Sequence, residues 1–165
     1  IPNFYIGDKD SYSGQINCDS LTKDPHKDDS DMEIALNKFI KNSDEVYITG
    51  VLGGRLSHTI GNLMLLARKD YSIVNNVKIY GDKKVVFSVI GKQYIEADFS
   101  KYKLFSMFSF TESTRINRLD GFEYNLENAI LNQSSTLGLS NVPKGKKQKI
   151  DIEKGSIIVV LEEKE

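Results

Sequence analysis

The chain has 165 residues and a single cysteine, Cys18. One thiol closes no internal disulfide framework and builds no zinc ribbon, so Cys18 reads as a structural thiol. Histidine is scarce too, at two residues. His58 has no second histidine or cysteine close by in the sequence and is a poor zinc ligand, while His26 follows Pro25 in a loop. No apolar run approaches the roughly 18 residues that a spanning helix needs. Ile1-Pro2-Asn3 carries no basic stretch of the kind that opens a secretory leader. The expectation is therefore a cytoplasmic protein with no membrane partner. Charge of one sign is lacking as well: 22 basic residues stand against 23 acidic ones, for a net charge of -1. Such a balance offers no cationic excess to grip a phosphate backbone, and no nucleic-acid partner is expected. Ser11, Ser57 and Ser140 fall in no Ser-His-Asp pattern, which argues against a serine nucleophile. Internal repeats and low-complexity tracts are absent.

What is present is the composition of a globular protein, with 39% hydrophobic and 27% charged residues. The length suits one ordinary domain or two small ones. Eight of the 23 acids lie within the first fifth of the chain, at Asp8, Asp10, Asp19, Asp24, Asp28, Asp29, Asp31 and Glu33. A solvated loop accounts for such a cluster, and so does a divalent-cation site, because hard cations take carboxylate oxygens. Four lysines between Lys144 and Lys149, with Pro143 and Gly145, read as an exposed turn.

Phe4-Tyr5-Ile6 reads as the tail of a buried strand closed by Gly7-Asp8. Ser30-Asp31-Met32-Glu33 is a capping-box pattern, and Met32, Ala35, Leu36, Phe39 and Ile40 follow at helical spacing, so a helix is predicted over about 31–41. Glu45–Thr49 is a strand, followed by a loop with Gly50, Gly53 and Gly54. A second helix then sets Ile60, Leu63, Met64 and Ala67 on one face, and Val77–Tyr80 is a further strand. This alternation predicts part of a parallel α/β sheet. Beyond residue 81 the pattern turns to short strands over 85–90, 93–97, 104–110, 125–131, 136–139, 150–152 and 157–161, punctuated by Gly91, Gly121, Gly145 and Gly155. That half reads as an antiparallel sandwich or barrel. The fold class is thus α/β plus all-β, with an N-terminal domain over 1–81 and a β-rich domain over 82–165.

Four constellations have chemical potential. Gly7-Asp8-Lys9-Asp10-Ser11 sets two carboxylates after a strand, where a turn lets them converge on one ion. Lys27-Asp28-Asp29-Ser30-Asp31 opens a helix, where the macrodipole alone favours Asp31 and a shared cation is the functional reading. Gly53-Gly54-Arg55-Leu56-Ser57-His58, with Asn62 one turn on, is either a tight strand-to-helix connection or an anion site. The second reading rests on free helix N–H groups and the planar fork of arginine. In Leu119–Leu126, Phe122 and Tyr124 alternate, so that one packs while the other offers a face to a flat ring.

In this order, and with Ser140-Asn141 after them, the constellations resemble the signatures of the thiamine pyrophosphokinase (thiamine diphosphokinase) family across nearly the whole chain. The resemblance implies a Rossmann-like α/β catalytic domain, a C-terminal β-sandwich and a homodimer. It implies transfer of a diphosphoryl group from ATP to the thiamine hydroxyl, releasing AMP. By the same resemblance Asp8, Asp10 and Asp31 hold Mg²⁺ on the phosphates and form the catalytic set with Arg55. Lys27, Asp28, Arg55 and Asn62 take the ATP side. Tyr124 stacks on thiamine, with Ser140 and Asn141 beside its pyrimidine, in a site shared across the dimer.

Three departures stand out. Ser57 occupies a position where the family usually has aspartate; both cap helices, but a hydroxyl supplies no carboxylate. Lys9 separates the paired aspartates in place of an apolar or aromatic residue. The family also carries a strand–helix unit before the first motif, which this chain starts almost at, so the expectation is a piece of a longer protein. The alternative function is a catalytically weak or silent homologue that binds thiamine or nucleotide.

Overall fold

A computed structural model describes residues 3–7, 14–15, 17–22, 29–68 and 77–163. The chain divides into two compact units, Ile1–Ser43 and Asp44–Glu165. In the first unit, β1 (Phe4–Gly7) pairs in parallel with β2 (Asp19–Thr22), with Phe4 opposite Asp19 and Gly7 opposite Thr22. Helix α1 spans Asp31–Phe39 and tightens into a 3-10 turn over Ile40–Asn42. Its start is the one the capping pattern predicts. Ser30 is the N-cap in extended conformation, and its Oγ accepts a hydrogen bond from the Glu33 N–H at 3.2 Å. One of the helix's orphan donors is thereby satisfied. Ile34, Leu36 and Ile40 are buried, whereas Phe39 is 42% exposed. Phe39 meets Phe4 edge-on at 5.6 Å, and the Lys38 ammonium sits 4.5 Å from the Phe4 ring centroid.

The second unit opens with β3 (Val46–Thr49), then α2 (Leu56–Leu65) and β4 (Val77–Gly81), which lies parallel to β3. From β4 the chain turns back tightly into β5 (Lys84–Ile90), so the parallel pair continues into a mixed five-stranded sheet of order β3-β4-β5-β11-β7. Here β7 is Tyr102–Ser109 and β11 is Ser156–Glu163. The expected division at residue 81 falls at the β4–β5 turn, inside this sheet. A four-stranded antiparallel sheet of order β6-β10-β8-β9 is made by β6 (Gln93–Ala97), β10 (Gln148–Lys154), β8 (Ser113–Asp120) and β9 (Leu126–Asn132).

The sandwich core joins the two sheets. Val85, Phe105, Met107, Ile157, Val159 and Leu161 come from the five-stranded sheet, and Ile116, Leu119, Leu131, Ile150 and Ile152 from the other. Among the described residues, no buried side-chain nitrogen or oxygen lacks a hydrogen-bond partner. Gln148 has no exposed surface; its Oε1 accepts from the Phe99 N–H at 2.7 Å, and its amide donates to the Lys144 carbonyl at 2.8 Å.

Several sequence expectations need correction. Residues 136–139 form a turn, with the Leu139 N–H bonded to the Thr136 carbonyl, not a strand. Strand β8 stands where the sequence pattern predicts none, because its alternation breaks: Thr114 and Ile116 are buried, then Leu119. The cause is a register shift against β10, where Asp151 faces Arg118 but Ile152 faces Ile116. The extra residue is Asn117, a β-bulge whose amide donates to Asp151. Strand β2, short and polar, lies in the acidic stretch whose composition suggests a solvated loop or a cation site. The apolar face expected on α2 is largely open, with Ile60 51% and Met64 56% exposed, while Leu65 and Leu66 are buried. No helix among the described residues is long and apolar enough to cross a membrane.

Candidate active site

In each unit, motif residues follow the carboxyl ends of parallel strands, where open α/β sheets gather their ligands. In the first unit Asp8 follows directly on the last residue of β1, and Asp31 stands in the first turn of α1, exposed at the positive end of the helix. Asp8, Asp10, Lys27 and Asp28 lie outside the described residues, as do Lys9, Ser11 and His26. Among the described residues no three His, Cys, Asp or Glu side chains gather at metal-binding spacing.

In the second unit the glycine loop leaves β3. Gly53 (φ 119°) and Gly54 (φ 68°) take left-handed backbone that a side chain would strain. Two side chains of α2 stitch this loop down. The Thr59 hydroxyl donates to the Gly53 carbonyl at 3.2 Å, and the Asn62 amide donates to the Val51 carbonyl at 3.3 Å. Arg55 is the N-cap residue, in extended conformation and exposed at the head of the helix. It makes no side-chain cap bond. Ser57 therefore stands one turn-position inside the helix and does not cap it, contrary to the expectation. His58 is exposed at the same end, and its main-chain N–H bonds to the Arg55 carbonyl at 3.1 Å.

The third group lies on the sandwich. Segment 121–125 is a bend, so Phe122 and Tyr124 do not share a strand face as expected. One packs and the other is open: Phe122 is 4% exposed with its ring 4.5 Å from Phe105, whereas Tyr124 is 67% exposed. Asn141 is 6% exposed and clasps the tyrosine's main chain. Its Oδ1 accepts from the Tyr124 N–H at 3.0 Å and the Val142 N–H at 2.9 Å, and its Nδ2 donates to the Tyr124 carbonyl at 2.7 Å. The Asn141 main chain is itself fixed to β7 by paired 2.8 Å bonds with Phe105. Ser140 is exposed at φ 57°, and its N–H donates to the buried Ser106 hydroxyl at 3.0 Å. The structure thus brings Tyr124 to Ser140 and Asn141, although the tyrosine and the asparagine are 17 positions apart in sequence.

Comparison with known proteins agrees with this layout. Residues 1–80 match the family model described as thiamin pyrophosphokinase, catalytic domain, and residues 92–157 match thiamin pyrophosphokinase, vitamin B1 binding domain. The chain belongs to the thiamine pyrophosphokinase family. The thiamine pyrophosphokinase of Bacillus subtilis (strain 168) is 32% identical over 138 residues, which cover 81% of this chain and 63% of that protein. The crystal structure of thiamine pyrophosphokinase from Bacillus subtilis superposes with a TM-score of 0.86 at 24% identity, covering 100% of this chain and 80% of that one. The yeast thiamin pyrophosphokinase structure gives 0.77 at 15% identity, covering 99% and 70%. These two likenesses bear on the fold.

Within this thiamine pyrophosphokinase fold, sequence reasoning missed the supporting groups. Ser106 holds Ser140, and Thr59 holds Gly53. Both are lone hydroxyls bonded to main chain, 34 residues away for Ser106 and six for Thr59, and no motif spacing marks either bond.

Proposed function

We propose that this chain transfers a diphosphoryl group from ATP to the hydroxyl of thiamine, giving thiamine diphosphate and AMP. The observation that carries this reading is the pairing, on one chain, of a catalytic-domain match with a vitamin B1 binding match. The hydroxyethyl oxygen of thiamine bonds to the β-phosphorus of ATP. The bond from that phosphorus to the oxygen bridging it to the α-phosphorus breaks, AMP leaves with the electron pair, and the hydroxyl proton passes to solvent. Transfer of this kind needs positioning and charge neutralisation more than a covalent nucleophile.

We assign the nucleotide side to 1–81 and the thiamine and dimer side to 82–165. Asp8, Asp10 and Asp31 form an all-carboxylate donor set, which suits a hard cation such as Mg²⁺, and the exposed place of Asp31 in the first turn of α1 supports its part. When bound, the ion neutralises phosphate charge. Lys27 and Asp28 line the nucleotide, and the Arg55 fork at the head of α2 meets phosphate oxygens. Asn62 acts through the loop, because its amide is committed to the Val51 carbonyl. Tyr124 presents its ring to the cationic thiazolium, a contact worth about 0.5–2 kcal/mol. Asn141 serves as the brace that orients Tyr124, and Ser140 offers its hydroxyl beside it. Tyr124, Ile130, Leu137 and Leu139, each more than half open, are exposed apolar side chains of the 82–165 region that a homodimer would cover. A cytoplasmic setting completes the reading.

Ser57, exposed and neutral at the head of α2, favours a second reading, a silent or weak homologue that still binds. The two part under one assay. The longest natural form of the chain is incubated with thiamine, ATP and Mg²⁺, and products are read by mass beside Asp8→Asn and Asp10→Asn. Thiamine diphosphate and AMP that vanish in both variants support the enzyme. Thiamine binding without product supports the silent homologue, and neither binding nor product overturns both.

A further inference from the structure

A cavity of about 370 Å³ lies between the β4–β5 side of one sheet and β6 of the other. Its volume falls in the range of small-ligand pockets. Its walls are mainly apolar, with Phe87, Ile95 and Phe99 among them, and the Phe87 and Phe99 rings stand 6.3 Å apart.

The unusual feature is where its charge comes from. Lys78 is the register partner of Phe87, and Tyr80 of Val85, which is in turn the partner of Leu161. Val85 and Leu161 belong to the sandwich core, so Lys78 and Tyr80 lie on the core-facing side of β4. Their neighbours Val77 and Ile79 take the opposite face and are buried. A lysine on the inner face of a sheet requires solvent or an anion at its ammonium. Among the described residues no carboxylate pairs with Lys78. Lys101 also lines the cavity, its ammonium 4.7 Å from the Tyr102 ring centroid and 3.9 Å from the exposed Glu163 carboxylate. The one acid in the lining is Asp98, whose carboxylate accepts from the Ser100 N–H at 2.9 Å. Glu163 faces Lys101 and the Lys146 charge faces Asp98, so Lys78 is the lining cation left without a carboxylate partner among the described residues.

We propose that this cavity is a second ligand site, for a small planar aromatic anion whose rings enter against Phe87 and Phe99 and whose carboxylate meets Lys78. The site goes beyond the thiamine reading. It shares no lining residue with the Tyr124, Ser140 and Asn141 group, and the Lys78 ammonium disfavours a thiazolium.

The probe is 2-naphthoate, titrated into the full chain by calorimetry and ligand-observed NMR, with neutral 2-naphthylmethanol as control. Saturable binding at least about tenfold tighter than the alcohol is expected, as full neutralisation of one well-placed ion pair implies. Lys78→Met, or Lys78→Gln if the first variant melts abnormally, should erase that preference. Tyr124→Ala should leave naphthoate affinity unchanged, and thiamine should not displace it. Absence of saturable binding up to millimolar probe overturns the proposal. So does equal affinity for acid and alcohol, or a preference that survives both lysine variants.

Discussion

Asn141 spends its whole amide on main chain: two N–H groups and one carbonyl, two of the three on Tyr124. Asn141→Ala leaves these part-buried groups without partners, and a loss of about 1–3 kcal/mol is expected in denaturant unfolding. Thiamine affinity should fall with it, because the exposed ring loses its anchor. Tyr124→Ala should weaken thiamine binding by a comparable factor yet leave stability nearly unchanged. That contrast, read by calorimetry and melting together, separates brace from contact. Gly121 is a sharper case. Its φ is 81°, and a Cβ there would lie 2.2 Å from the Lys147 carbonyl oxygen. Gly121→Ala should cost at least the 1–2 kcal/mol of the left-handed backbone, with the clash added. The family resemblance puts Tyr124 against thiamine and Asn141 beside its pyrimidine, but it gives no sign that the Asn141 amide is committed to main chain. Whether an amide faces a ligand or the main chain depends on a fold that joins residues far apart.

At the scale of elements, α1 was the most legible, since cap, acidic first turn and apolar spacing are all local signals. Ser30→Ala should remove the bond to Glu33 and cost about 1 kcal/mol, measured as loss of amide-exchange protection in the first turn. Helix α2 was less legible. Its glycine loop pointed to the right place, but Arg55 takes the cap position and Ser57 falls inside the first turn. An aspartate there adds negative charge near the positive helix end without altering the cap. Ser57→Asp should therefore stabilise by about 0.3–1 kcal/mol and raise turnover. Unchanged turnover would show that the family's aspartate is dispensable in this chain. Strand β8 shows the other limit: one bulged residue, Asn117, shifts the buried positions from even to odd, and alternation no longer reads as a strand.

For the whole molecule, composition and punctuation foretold an α/β front and a β-rich back. They did not foretell that β3 and β4 continue into the sandwich as one mixed sheet, because strand pairing across the β4–β5 turn is set by packing on both faces. The consequence is that the loop bearing Arg55 and the clasp around Tyr124 belong to the same compact unit. The most direct measurement is a ³¹P NMR time course of the longest natural chain with ATP, thiamine and Mg²⁺. AMP and thiamine diphosphate should grow in equal amounts, only when thiamine is present, and not at all in Asp8→Asn. Formation of ADP in place of AMP, or phosphate release that ignores thiamine, would contradict diphosphoryl transfer by this site.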